Sequence, residues 1–102
     1  MIEKKGRLRQ QRGTLQNFTD LPESKQIIFV NIKKFIDSVS GHDTEINIFG
    51  SFYNGDWDEY SDYDILLQKK IEGLNRQNIS EFVNSKVDLF INKRKTIKIP
   101  NF

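Results

Sequence analysis

Two aspartates one residue apart open an apolar run, Asp62-Tyr63-Asp64-Ile65-Leu66-Leu67. On a strand, residues i and i+2 face the same way, so Asp62 and Asp64 project side by side while Tyr63 points away. Like charges held together are unfavourable alone, and a divalent cation converts that repulsion into a binding site. Carboxylate pairs of this kind serve phosphoryl transfer, where two metals about 3.5–4 Å apart clamp the attacking and leaving oxygens. Separated from Asp62 by ten residues, the chain reads Gly50-Ser51, directly after Ile46-Asn47-Ile48-Phe49. A glycine at the end of a strand lets the backbone come close to a ligand. Ser51 is placed to cap a following helical turn, whose free N–H groups suit an anion. A third carboxylate, Asp88, interrupts the apolar run Val87-Asp88-Leu89-Phe90-Ile91. A buried, unpaired aspartate is costly, so Asp88 needs a partner. Beside the Asp62–Asp64 strand it completes a metal cage; the other reading has it at the solvent, paired with Lys86 or Lys93.

The elements that must position these groups are legible around them. Asp20-Leu21-Pro22-Glu23 reads as a helix start, with Asp20 as the cap and Pro22 in the first turn. Ile28, Ile32, Phe35, Ile36 and Val39 then recur at helical spacing, with Lys25, Lys33, Lys34 and Asp37 on the other side. Gly41 supplies the stop. A short strand is expected over 45–49, a turn or single helical turn with a loop over 50–61, and a strand over 62–68. The continuous Ile65-Leu66-Leu67 run suits a central strand covered on both faces. Ile79, Phe82 and Val83 mark a second, shorter helix near 76–84, and 87–91 a third strand. Ile97 and Ile99 alternate with polar residues, which fits either a fourth edge strand or a tail. The expected fold is therefore α/β (α+β): a small mixed sheet of three to four strands with a long N-terminal helix and a shorter one packed on it.

Composition narrows the chemistry. The 102 residues suit one small domain, and a chain of this size has a thin core. Eight Phe, three Tyr and one Trp compensate, because each aromatic buries a large area. The absence of Cys removes disulfides and thiolate sites, and the single histidine, His42, makes a His-based zinc site a poor fit. Oxygen ligands point to magnesium or manganese. No apolar run approaches the roughly 20 residues of a membrane span, and no apolar stretch follows the basic N-terminus as in a signal peptide. A cytoplasmic location is expected. Charge is uneven: Lys4, Lys5, Arg7, Arg9 and Arg12 crowd the N-terminus, whereas residues 43–64 hold seven acids and no Lys or Arg. Residues 1–19 read as a basic extension, either a charged tail, a docking arm or a contact for nucleic acid, and residues 20–102 as the domain. No Walker-type or dinucleotide glycine motif is present, and the serines lack a triad context.

The order hydrophobic-Gly-Ser, a short interval, Asp-x-Asp, then a third acid on a later strand resembles the nucleotidyltransferase superfamily that includes DNA polymerase beta. The short length and the Ser61-Asp62-Tyr63-Asp64-Ile65 ending are most similar to the stand-alone minimal nucleotidyltransferases of prokaryotes. The resemblance implies that Gly50 and Ser51 form the triphosphate-binding turn and that Asp62 and Asp64 bridge two magnesium ions, with manganese as the substitute. It implies that Asp88 is the third acid, which positions or activates the acceptor hydroxyl. The implied reaction is transfer of a nucleoside monophosphate from a nucleoside triphosphate, expected to be ATP, to a hydroxyl. The family commonly carries an Arg before the glycine at the position of Gly55; this chain has Asn54, which donates a hydrogen bond but neutralises no charge. Lys93, Arg94 or the N-terminal arm offer cations instead, with plain solvated surface as the other reading. Small members often pair, as antitoxin, with a helical partner of the HEPN type, and some modify it. Phe52, Tyr53, Trp57, Tyr60 and Phe102 are the aromatics available for such docking or for self-association, with Phe52 and Tyr53 equally suited to the core. Two rival readings stand beside the enzyme: an inactive antitoxin or scaffold that acts by contact, and a nucleic-acid binder whose affinity falls steeply with salt.

Overall fold

The computed structural model describes residues 12–101. Helix α1 spans Glu23–Ser40 and ends, as expected, at Gly41, whose φ of 82° lets its N–H reach the Asp37 carbonyl at 2.9 Å. Its start differs from the sequence reading. Pro22, not Asp20, occupies the cap position, and its carbonyl accepts from the N–H groups of Lys25 and Gln26. The residue before a proline is driven out of the helical region, and Leu21 is extended at φ −75°, ψ 150°. Asp20 instead closes a separate 3-10 turn, Phe18–Asp20, by accepting from the Asn17 N–H at 3.2 Å.

The buried stripe of α1 is Phe29, Ile32, Lys33 and Ile36, while Ile28, Phe35 and Val39 lie at its margin. Lys33 was expected at the solvent and is instead 4% exposed. Its stem lies in the stripe, and its ammonium emerges onto Asp37 at 3.0 Å, Asp43 at 2.7 Å and the Thr44 carbonyl at 2.8 Å. That cluster ties the end of α1 to the entry of the sheet.

Four strands follow: β1 (Ile46–Phe49), β2 (Tyr63–Leu67), β3 (Val87–Ile91) and β4 (Ile97–Lys98). A short helix, α2 (Gly50–Asn54), leaves β1, and α3 (Arg76–Val83) crosses from β2 to β3. The sheet is mixed, in the order β3-β2-β1-β4, with β1 antiparallel to both β2 and β4 and β2 parallel to β3. Residues 97–99 thus form the edge strand rather than a tail, and the Ile99 N–H donates to the Ile46 carbonyl at 2.9 Å. Ile46, Ile48, Tyr63, Ile65, Leu67 and Val87 share one core with Phe29, Ile32 and Ile36 of α1 and Ile79 of α3. The alternate positions, Asn47, Phe49, Asp64, Leu66, Asp88 and Phe90, therefore belong to the opposite face of the sheet. β2 is interior, and Leu66 on that second face is also buried.

On α3, Asn75 caps the first turn by accepting from the Asn78 N–H, and Ile79 alone is fully buried. Phe82 is 60% exposed and leans on Phe35, with ring centroids 4.8 Å apart. Residues 12–19 lie along the body: the N–H groups of Arg12 and Leu15 donate to the carbonyls of Gly55 and Tyr53, and Phe18 is buried in the core. A side chain at Gly55 would run into the Gly13 carbonyl, 2.0 Å from where its Cβ would stand. The cationic cluster Lys4, Lys5, Arg7 and Arg9, the rest of the expected extension, and Phe102 lie outside the described residues. No helix among the described residues is long and apolar enough to cross a membrane.

Candidate metal and nucleotide site

Asp62 sits just before β2, and Asp64 lies one residue inside it. Tyr63 points away, as alternation demands: it is 6% exposed and packs on Phe29 and Phe52 with centroid distances of 5.3 and 4.9 Å. The parallel register sets Asp88 directly beside Asp64. One carboxylate oxygen from each of Asp62, Asp64 and Asp88 lies within 4.8 Å of the other two. The three acids singled out in the sequence therefore converge.

Two of the three have counter-ions. Arg76 reaches Asp88 Oδ1 at 2.7 Å, and Lys86 approaches Asp62 Oδ2 at 3.7 Å. Asp88 is thus paired, but with Arg76 rather than Lys86 or Lys93. Among the described residues no cation pairs with Asp64, and its Oδ1 is buried without a hydrogen-bond partner. Burial, then the charges of Asp88 and Asp62, push its carboxyl up from 3.8 to about 6. Three hard oxygen donors around an orphaned carboxylate oxygen are what a divalent cation such as magnesium or manganese takes, so these residues fit such an ion.

The Gly50-Ser51 turn abuts the acids. Phe49 is the register partner of Asp64, and Gly50 turns the chain with φ +66°. A Cβ on Gly50 would stand 2.0 Å from Asp64 Oδ2. Glycine is required here by the left-handed backbone and by the carboxylate itself. Ser51 does not cap α2. Phe49 holds the cap position without a side-chain hydrogen bond, so Ser51 falls inside the helix. Asn54 is the last residue of α2 and is exposed, before Gly55 closes the helix at φ 93°.

Phe52, which suited core or interface in the sequence, is core at 1% exposure, whereas Tyr60 is 66% exposed. The site also holds cations, of which Arg76 carried no signal in the sequence spacing. Arg76 lies twelve residues before Asp88 and meets it only because α3 returns its first residue over the start of β3. Lys86 follows from register, since pairing Tyr63 with Val87 sets Asp62 beside Lys86. Arg94, after β3, brings its guanidinium to 5.7 Å from the Phe49 ring centroid and 5.8 Å from that of Tyr53.

No curated protein and no solved structure matches the chain significantly. Residues 30–99 match the family model of the nucleotidyltransferase domain, a span that holds the Gly50-Ser51 turn and all three acids. With most of its length inside that match, this chain belongs to the nucleotidyltransferase domain family.

Proposed function

We propose that this protein is a metal-dependent nucleotidyltransferase that moves a nucleoside monophosphate from a nucleoside triphosphate, ATP, to a hydroxyl acceptor. Family membership supports nucleotidyl transfer in general. The observation that carries the finer reading is the convergence of Asp62, Asp64 and Asp88 within 4.8 Å, against the backbone of Gly50. The three carboxylates hold the magnesium ions, or manganese in their place. When bound, the ions neutralise charge on the phosphates and lower the barrier to oxygen attack at phosphorus. Gly50 and Ser51 receive the β- and γ-phosphates, and Asn54 donates a hydrogen bond at the end of the same turn. The acceptor oxygen attacks the α-phosphorus, the bond to the β-phosphate bridging oxygen breaks, and pyrophosphate leaves. Asp88 takes the hydroxyl proton. Its bond to Arg76 at 2.7 Å fixes the carboxylate's orientation while Asp64, on the neighbouring strand, faces the same cluster.

The acceptor lies on a partner protein in this reading, a helical protein of the HEPN type in a toxin–antitoxin pair in the cytoplasm. Apolar side chains stand ready for such a contact: Ile27, Phe82, Phe90 and Ile91 are 54, 60, 42 and 50% exposed. One observation favours the second reading, an inactive antitoxin that works by contact: the neutral Asn54 where the family commonly has Arg. Transfer of α-phosphate label from ATP, with magnesium and with or without the neighbouring gene's product, separates the two. The native chain moves label and Asp62→Asn/Asp64→Asn does not. If no label moves, and the double variant neutralises the partner as well as the native chain, the enzyme reading is lost.

A further inference from the structure

The three acids and their two counter-ions leave one problem unsolved. A nucleoside triphosphate brings several negative charges to a cluster of carboxylates, and Arg76 and Lys86 already face Asp88 and Asp62. Asn54 adds no charge on α2. We infer that Arg94, held near the two aromatic rings that flank Gly50-Ser51, is the residue that binds the triphosphate chain in this protein. The inference rests on the nucleotidyl-transfer reading above and assigns a residue to it.

The placement is specific. Phe49 immediately precedes Gly50, and Tyr53 follows Ser51 by two positions, so a guanidinium near both rings stands over the turn that abuts Asp64. A guanidinium held within about 6 Å of aromatic rings is attracted to them without using up its N–H groups, which stay available for a two-point bond to phosphate. Among the described residues no carboxylate pairs with Arg94, although Lys95 beside it is bound to Glu45 at 3.2 Å. The loop that carries it is pinned at both ends. The Asn92 N–H donates to the Leu67 carbonyl, and the Arg94 N–H to Asn92 Oδ1 at 2.8 Å. The Thr96 N–H donates to Asn47 Oδ1 at 2.8 Å, and the Thr96 hydroxyl to the Ile48 carbonyl. A free cation on a fixed loop loses little freedom when it meets an anion.

Calorimetric titration tests this with magnesium present and three probes: α,β-methylene ATP, inorganic tripolyphosphate and adenosine. The native chain binds the first two. Arg94→Gln weakens both by about 10- to 100-fold, the span expected for one charge-assisted phosphate contact, with magnesium affinity and melting temperature held. Arg94→Lys recovers part of the loss, because it restores the charge without the two-point geometry. If Arg94→Gln binds both probes within about twofold of native, or loses affinity only in step with its melting temperature, Arg94 is a staple for the loop and the inference is overturned while nucleotidyl transfer stands. If the native chain binds neither probe, both readings fall together.

Discussion

Asp64→Asn should make the metal-free protein more stable at neutral pH. The wild-type carboxyl rises from 3.8 to about 6 because burial and the charges of Asp88 and Asp62 oppose its ionisation. A raised carboxyl favours the folded state fully below its unfolded value, and that advantage is lost as pH rises through the folded one. Above about pH 6 the folded chain therefore carries the whole cost of ionising Asp64. Two pH units at about 1.36 kcal/mol each set an upper bound of roughly 3 kcal/mol. The residue is part-exposed and Arg76 and Lys86 face the two neighbouring acids, so screening leaves about 1–2 kcal/mol. Asparagine removes the charge at nearly constant volume. At about 4–8 °C per kcal/mol for a domain of this size, thermal unfolding in EDTA at pH 7.5 should show the variant melting about 5–10 °C higher. The gap should close as pH falls below about 6 toward 4. Magnesium should reverse the order, by stabilising the native chain and leaving the variant unmoved. A variant that melts below the native chain in EDTA at pH 7.5 would refute the electrostatic reasoning.

Two further changes probe the supports of the site. Gly50→Ala sets a Cβ 2.0 Å from Asp64 Oδ2 in a backbone with φ +66°; magnesium binding should fall at least tenfold, at a stability cost of about 1–3 kcal/mol, read by calorimetry and urea unfolding. Phe18→Ala empties a core position contributed by the segment before α1; it should cost about 3–4 kcal/mol while the Asp64-dependent response to magnesium survives in whatever fraction stays folded.

Much of this molecule was legible because its strongest signals are local. The alternation of Ile46 and Ile48, the Ile65-Leu66-Leu67 run and the period of α1 follow directly from which side chains water rejects. The three acids were legible for the same reason, since each is a charge in or beside an apolar strand, where only a partner or an ion makes sense of it. What was missed depends on contacts far apart in sequence or, at Asp20, on the backbone limits that a nearby proline imposes. Lys33 looks solvent-facing on a helical wheel, and only the fold brings Asp43 and the Thr44 carbonyl to its ammonium. Asp20 looks like a cap until the extended Leu21 before Pro22 delays the helix. Arg76 carries no signal at all until a parallel β2–α3–β3 crossover is assumed.

The counter-ions also decide which acid governs metal binding. Arg76 is 72% and Lys86 77% exposed at the side chain, so each pair is a surface ion pair worth about 0–1 kcal/mol. Giving up either pair to an arriving cation therefore costs little. Asp64 is different in kind: its Oδ1 is buried and has no hydrogen-bond partner among the described residues, and ionising it is uphill until positive charge arrives. An ion bound at the cluster relieves that one penalty in full and disturbs only weak pairs elsewhere. Affinity for the metal should thus track Asp64 far more closely than Arg76 or Lys86. Gly50 enforces the arrangement, because any other residue there would push the carboxylate away from the turn on which the phosphates are to lie.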